Sequence, residues 1–235
     1  MCEECGCNNH VHESSSRQLK NVHVNKKITE ENDREAAHIR EHLESHRILG
    51  INMMSSPGSG KTSLLEKTAE LIKHKMAVLE GDLETNRDSE RIKSKGVPAY
   101  QISTGQTCHL DAFMVHEGLH HLDVHDAKIL FVENVGNLVC PASYDVWMHM
   151  NVVLLSVPEG DDKVAKYPVI FRRADLVLIT KTDLIPHFDF HTENITADLR
   201  KINPEVKVLM ISTKDSASIQ AWVDHILTML GKKYP

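Results

Sequence analysis

Seven short apolar runs recur along the chain, at residues 48–54, 75–79, 98–102, 128–134, 152–157, 176–179 and 206–211. Each predicts a strand, and the densest of them read as strands buried on both faces. Stretches with helical spacing lie between them. Residues 29–46 place Ala36, Ala37, Ile39 and Leu43 on one side, with Thr29 positioned to cap. Residues 63–72, a segment from Asp88, a segment carrying Leu110, Phe113, Met114 and Leu119, and residues 216–230 follow. Strand alternating with helix predicts an α/β fold, with a mostly parallel sheet and helices on both faces.

The first strand runs into Ser55-Ser56-Pro57-Gly58-Ser59-Gly60-Lys61-Thr62, and a helix leads out. Strand, glycine turn and helix in that order predict the phosphate-binding loop of a P-loop NTPase. Gly58 and Gly60 let successive N–H groups point at one anion, and the helix N-terminus adds partial positive charge. Gly58, Ser59, Gly60, Lys61, Thr62 and Ser63 are the expected phosphate contacts. Lys61 neutralises the outer phosphates, and the Thr62 hydroxyl can hold Mg²⁺. Asp82 is expected just past a strand end, where it could bind Mg²⁺ or position the attacking water. Glu133 closes the most apolar strand and belongs near Mg²⁺ or its water shell. Lys61 and Asp82 are therefore the catalytic candidates.

Base recognition is predicted further on, in Thr180-Lys181-Thr182-Asp183. A carboxylate at Asp183 can accept from guanine N1–H and the 2-amino group, two donors that adenine lacks. Lys181 can lay its stem along the base, and Ser212 and Lys214 are placed for guanine O6. GTP or GDP is the expected nucleotide; Asp183 argues against an ATP-dependent kinase.

Charge and cysteine placement narrow the picture. A formal net charge of −6 over 235 residues argues against coating nucleic acid. No apolar run approaches the ~20 residues that cross a bilayer, and the N-terminus lacks a secretory pattern, so a cytoplasmic location is expected. Five cysteines, an odd number, argue against a disulfide framework. Residues 1–27 read as a mobile tail and 28–235 as the GTPase domain. The tail tip holds Cys2, Cys5 and Cys7, whose thiolates suit Ni²⁺ or Zn²⁺, with the terminal amine, His10 or His12 as a further donor. No core follows this cluster, which favours metal capture and hand-off over a structural role. Cys108 and His109 stand together at a loop-to-helix junction, where a thiol pKa is lowered. Cys140 is the candidate third ligand. His38, His42 and His46 form a helical row, and His116 and His120 share a face; both sets are expected to be exposed polar faces rather than ligands.

The chain resembles the nickel-inserting GTPases of hydrogenase maturation over essentially all of residues 28–235. The resemblance is carried by Ser55 to Thr62, Glu80-Gly81-Asp82, Thr104 to Leu110, Glu133 to Pro141, Glu159-Gly160-Asp161-Asp162-Lys163 and Thr180 to Asp183. The Cys-x-x-Cys-x-Cys tip resembles an additional nickel site of some members. The related urease accessory GTPase is similar in fold but joins its Cys and His as Cys-Pro-His, which is not seen here. Ser55 departs from the usual glycine. Thr180 replaces an Asn that normally ties the base loop to the phosphate loop, a change expected to loosen nucleotide binding. The resemblance implies a GTP-dependent homodimer with Cys108, His109 and Cys140 near its interface. It also implies protein partners, a second nickel chaperone and the hydrogenase large subunit. The reading is a slow GTPase metallochaperone; urease maturation, and a nucleotide-binding metal sensor or store without turnover, are the alternatives.

Overall fold

The computed structural model describes residues 32–72, 75–82, 87–105 and 107–235. Cys2, Cys5, Cys7 and the expected cap Thr29 lie outside them. Strands β1 (Leu49–Ser55), β2 (Met76–Asp82), β3 (Ala99–Ser103), β4 (Ile129–Glu133), β5 (Met150–Ser156), β6 (Leu176–Thr180) and β7 (Lys207–Ile211) form one sheet. Their order is β3-β2-β4-β1-β5-β6-β7, and every neighbouring pair is parallel. The central strand, β1, is buried along its whole length.

The two-residue period of the strands sorts their side chains between two helical layers. Leu49, Ile51 and Met53 of β1 face one layer. There they meet Leu64 and Leu65 of α2 (Lys61–Ile72), Ile92 of α3 (Arg87–Ser94) and Trp222 of α8 (Ser216–Lys233). Trp222 is fully buried, and its indole N–H donates to Thr68 Oγ1 at 3.0 Å, so the large ring enters the core without a stranded donor. Burying each such side chain contributes roughly 1.5–3 kcal/mol.

The opposite face takes the remaining helices. A helix through residues 32–45, α1, and α4 (Ala112–His121) pack Ile39, Leu43, Val115 and Leu119 over Leu79, Leu130 and Val132. Helices α5 (Lys163–Lys166), α6 (Pro168–Arg172) and α7 (Thr192–Ile202) cover Val153, Leu155, Val177 and Ile179. The α/β architecture and both helical layers are as expected.

Five local features differ from expectation. Strand β2 continues through Asp82, which pairs with Ser103 and is the strand's last residue rather than the first beyond it. Helix α2 starts at Lys61, two residues before the apolar pattern begins. Helix α4 starts at Ala112, because the Asp111 carboxylate accepts from Met114 N–H at 2.8 Å and caps it there. Cys108 therefore stands outside the helix's first turn. Phe113, expected on the apolar face of α4, is 60% exposed. Helix α7, with Ile195 and Leu199 buried, had no counterpart among the expected elements.

Candidate nucleotide and thiol site

The phosphate loop leaves β1 at Ser55 and enters α2 at Lys61. Its turn requires φ of +73° at Gly58 and +95° at Gly60, values that exclude ordinary side chains. Lys61 is 7% exposed, and its Nζ donates to Ser55 Oγ at 2.9 Å. The serine that replaces the usual glycine thus gives the buried ammonium an acceptor. Ser59 Oγ has two acceptors within reach of its one proton, the Ser56 carbonyl oxygen at 2.8 Å and Glu159 Oε2 at 3.1 Å. Glu159 also accepts from the N–H and hydroxyl of Ser156, at 2.7 and 2.9 Å, so the end of β5 braces the loop.

A cleft of about 450 Å³ opens beside the loop, with Lys61, Thr62, Ser63, Asp82 and Glu133 on its wall. Thr62 Oγ1 donates to Glu133 Oε1 at 2.8 Å. Glu80 and Glu133 are register partners across β2 and β4, and both are buried. Each keeps one buried carboxylate oxygen, Glu80 Oε2 and Glu133 Oε2, without a hydrogen-bond partner. Burial, then Glu133, Asp88 and Asp82, push the Glu80 pKa up to about 8. Burial also raises that of Glu133, against the pull of Lys61 and Thr62. Orphaned carboxylate oxygens beside a hydroxyl suit a hard divalent cation such as Mg²⁺. Thr62, Glu133 and Glu80 could hold it, with Asp82 on the same wall. Glu80 is part of a family motif but not among the ligands expected from the sequence. Its signal was the strand period, which puts Val78, Glu80 and Asp82 on one face.

The base loop is fastened to the phosphate loop. Thr180 Oγ1 donates to the Ser59 carbonyl oxygen at 2.7 Å. Lys181, with φ of +58°, extends Nζ to the Gly58 carbonyl oxygen, also at 2.7 Å. The loosening expected from the Asn-to-Thr difference is thus met by a direct tie. Asp183 accepts from Ser212 Oγ at 2.8 Å and from Lys214 Nζ at 2.7 Å. Lys214, then Ser212, hold its carboxyl below the usual range, hence ionised. The two residues expected at guanine O6 orient this carboxylate.

Farther along the sheet's carboxyl edge the structure brings together Cys108, His109 and Cys140. The two Sγ atoms are 2.9 Å apart, and one donor atom from each of the three residues lies within 4.8 Å of the others. His109 stacks on Tyr144 with ring centroids 3.9 Å apart. Its Nδ1 is buried without a partner, and burial lowers its pKa, which keeps the ring neutral and able to donate a lone pair. The hydrogen bond shared with Cys108, then burial, raise the Cys140 thiol pKa, favouring the protonated form. Asn134 connects this site to the cleft: its Oδ1 accepts from Leu110 N–H and Val135 N–H, both at 3.0 Å. Gly136 presses on the phosphate loop. A Cβ there would lie 2.8 Å from both Pro57 Cα and Pro57 N.

Residues 50–210 match the family model described as the CobW/HypB/UreG nucleotide-binding domain. The chain belongs to this family. It is 45% identical to the hydrogenase maturation factor HypB of Azotobacter chroococcum, over 95% of this chain and 74% of that one. It is 43% identical to the hydrogenase/urease maturation factor HypB of Helicobacter pylori, over 92% of this chain and 90% of the relative. A crystal structure of Helicobacter pylori HypB in complex with nickel superposes with a TM-score of 0.85 at 44% identity, covering 87% of this chain and 97% of that chain.

Within this CobW/HypB/UreG domain, Tyr144, Asn134 and Glu159 were not expected in their present roles. Each works by a contact between segments far apart in sequence, as with Leu110 and Asn134, and no local pattern announces it. No helix among the described residues is long and apolar enough to cross a membrane.

Proposed function

We propose that this chain hydrolyses GTP to GDP and phosphate, and uses the nucleotide cycle to control nickel at Cys108, His109 and Cys140 during hydrogenase maturation. Lys61 neutralises the outer phosphates. Thr62, Glu133 and Asp82 hold or neighbour Mg²⁺, which supplies charge neutralisation at the phosphates. Asp183, held by Ser212 and Lys214, selects guanine. Nickel is cargo; Zn²⁺ suits the same sulfur and imidazole donors. Cys2, Cys5 and Cys7 form a separate capture site in the tail. The exposed apolar side chains Phe113 and Val139, close in the chain to His109 and Cys140, favour a homodimer formed in the GTP state. The partners on this reading are a second nickel chaperone and the hydrogenase large subunit, in the cytoplasm. The double designation of the Helicobacter pylori relative favours urease maturation as the second reading.

The observation that carries this reading is Asn134. It directly follows Glu133 in the cleft and holds Leu110, next to His109, by a 3.0 Å hydrogen bond. A change at the phosphates is therefore one residue from the segment that carries the ligands. By linkage, metal must change nucleotide affinity by the factor with which nucleotide changes metal affinity. The test is a Ni²⁺ titration with GDP and with a non-hydrolysable GTP analogue, alongside phosphate release from GTP. Nucleotide-dependent nickel affinity, abolished in Cys108→Ala, is expected; equal affinity in both nucleotide states refutes the coupling. Lys61→Ala should lower phosphate release on the order of 10²-fold or more. Absence of GTP turnover in the unsubstituted chain would leave a sensor or store.

A further inference from the structure

Helices α1 and α4 meet through Ala36, Ile39 and Leu43 on one side and Ala112, Val115 and Leu119 on the other. Along the rim of this apolar seam runs a second set of side chains, with no cysteine among them. Helix α1 contributes Glu35, His38 and His42; α4 contributes His116 and His120. Glu35 Oε2 is 2.8 Å from His116 Nδ1 and 3.7 Å from His38 Nδ1. The rings of His116 and His120 are 4.9 Å apart, and those of His38 and His116 6.0 Å. A donor atom from each of Glu35, His38 and His116 falls within 4.8 Å of the other two.

We propose that this seam is a second divalent-metal site, of imidazole and carboxylate ligands, taking Zn²⁺ or Ni²⁺ through Glu35, His38 and His116, with His120 or His42 completing the shell. Both cations accept imidazole and carboxylate at bond lengths of ~2.0–2.2 Å, which sets donor atoms roughly 3–3.5 Å apart. The two distances from Glu35 Oε2 bracket that spacing, and the half-exposed His38 can close its gap by a side-chain rotation. An ordinary ion pair would account for Glu35 and His116 alone. It leaves unexplained the convergence of three more imidazoles and the buried His42 Nε2, which has no partner. The site would pin α1 to α4. Asn32 already does so by hydrogen bonds: its Oδ1 accepts from Ala112 N–H at 2.8 Å, and its Nδ2 donates to the Asp145 carbonyl oxygen at 2.9 Å.

The proposal is tested on the full chain with Cys2, Cys5, Cys7, Cys108 and Cys140 all replaced by serine. Zn²⁺ and Ni²⁺ are titrated against a chromophoric chelator, and the thermal midpoint is followed with and without metal. The comparison protein adds His116→Gln, which leaves every tail histidine in place. The cysteine-free chain should bind one equivalent more than the comparison protein, or bind it roughly tenfold or more tightly. Metal should raise the midpoint of the first protein only. Equal stoichiometry and affinity in the two proteins overturn the proposal. If circular dichroism shows that His116→Gln does not fold, His38→Gln takes its place. That side chain is 61% exposed, and the same loss of the equivalent is expected.

Discussion

Thr180 Oγ1 lies 2.7 Å from the Ser59 carbonyl oxygen and joins the loop after β6, the candidate base reader, to the glycine loop after β1. The hydroxyl is buried, so its removal loses the bond and leaves the carbonyl short of a partner. Thr180→Val keeps the shape and deletes the donor. Both GTP and GDP should then bind about 2–10-fold more weakly, equivalent to roughly 0.5–1.5 kcal/mol. Titration with a fluorescent GDP analogue reads the change. Unaltered affinity would assign the tie to Lys181 Nζ and Gly58 alone.

Glu80 predicts an unusual dependence of stability on pH. Its folded pKa, raised to about 8 from 4.5, means that the folded chain keeps a proton the unfolded chain has already lost. Stability from this group is present below 4.5 and drains away as pH climbs to 8. His149, lowered to about 4 from 6.5, acts with the opposite sign, but its contribution is complete by pH 6.5. Between pH 6.5 and 8 the nucleotide-free protein should lose about 2 kcal/mol through Glu80, or roughly 4–8 °C in thermal midpoint. Glu80→Gln should flatten that slope. Parallel slopes for the two proteins would remove Glu80 as the cause.

Asp183→Asn should move preference from guanine to xanthine. On the proposed reading the ionised carboxylate, gripped by Ser212 and Lys214, would accept from a ring N–H and an amino group; an amide would present a donor where one acceptor stood. Competition between GTP and xanthosine triphosphate measures the change. A variant that still favours GTP would show that Asp183 does not read the base.

Sequence pattern alone identified the features whose chemistry is local. Gly58, Gly60 and Lys61 lie within four consecutive positions, and the loop they form needs nothing from elsewhere to be recognised. Strand period and apolar runs placed the sheet and both helical layers. Contacts that span the chain were out of reach. Thr180 reaches Ser59, Asn134 reaches Leu110, and Glu159 reaches Ser59, each across a separation that only the folded sheet closes. The histidines of α1 and α4 read as solvated rows from each helix taken singly, and His38, His46 and His120 are exposed; the contact of Glu35 with His116 exists only once the two helices pack. Helix α7 escaped notice because Ile195 and Leu199 sit among polar neighbours, and tertiary packing over β6 gives them their role.

Gly136 and Pro57 leave no clearance between the strap that carries Cys140 and the loop that would cradle phosphate. Two backbones in such contact have no room to move closer. A single methyl group at position 136 would wedge them apart. The approach of the segment leading to Cys140 onto the phosphate loop is thus set by the absence of a side chain at position 136.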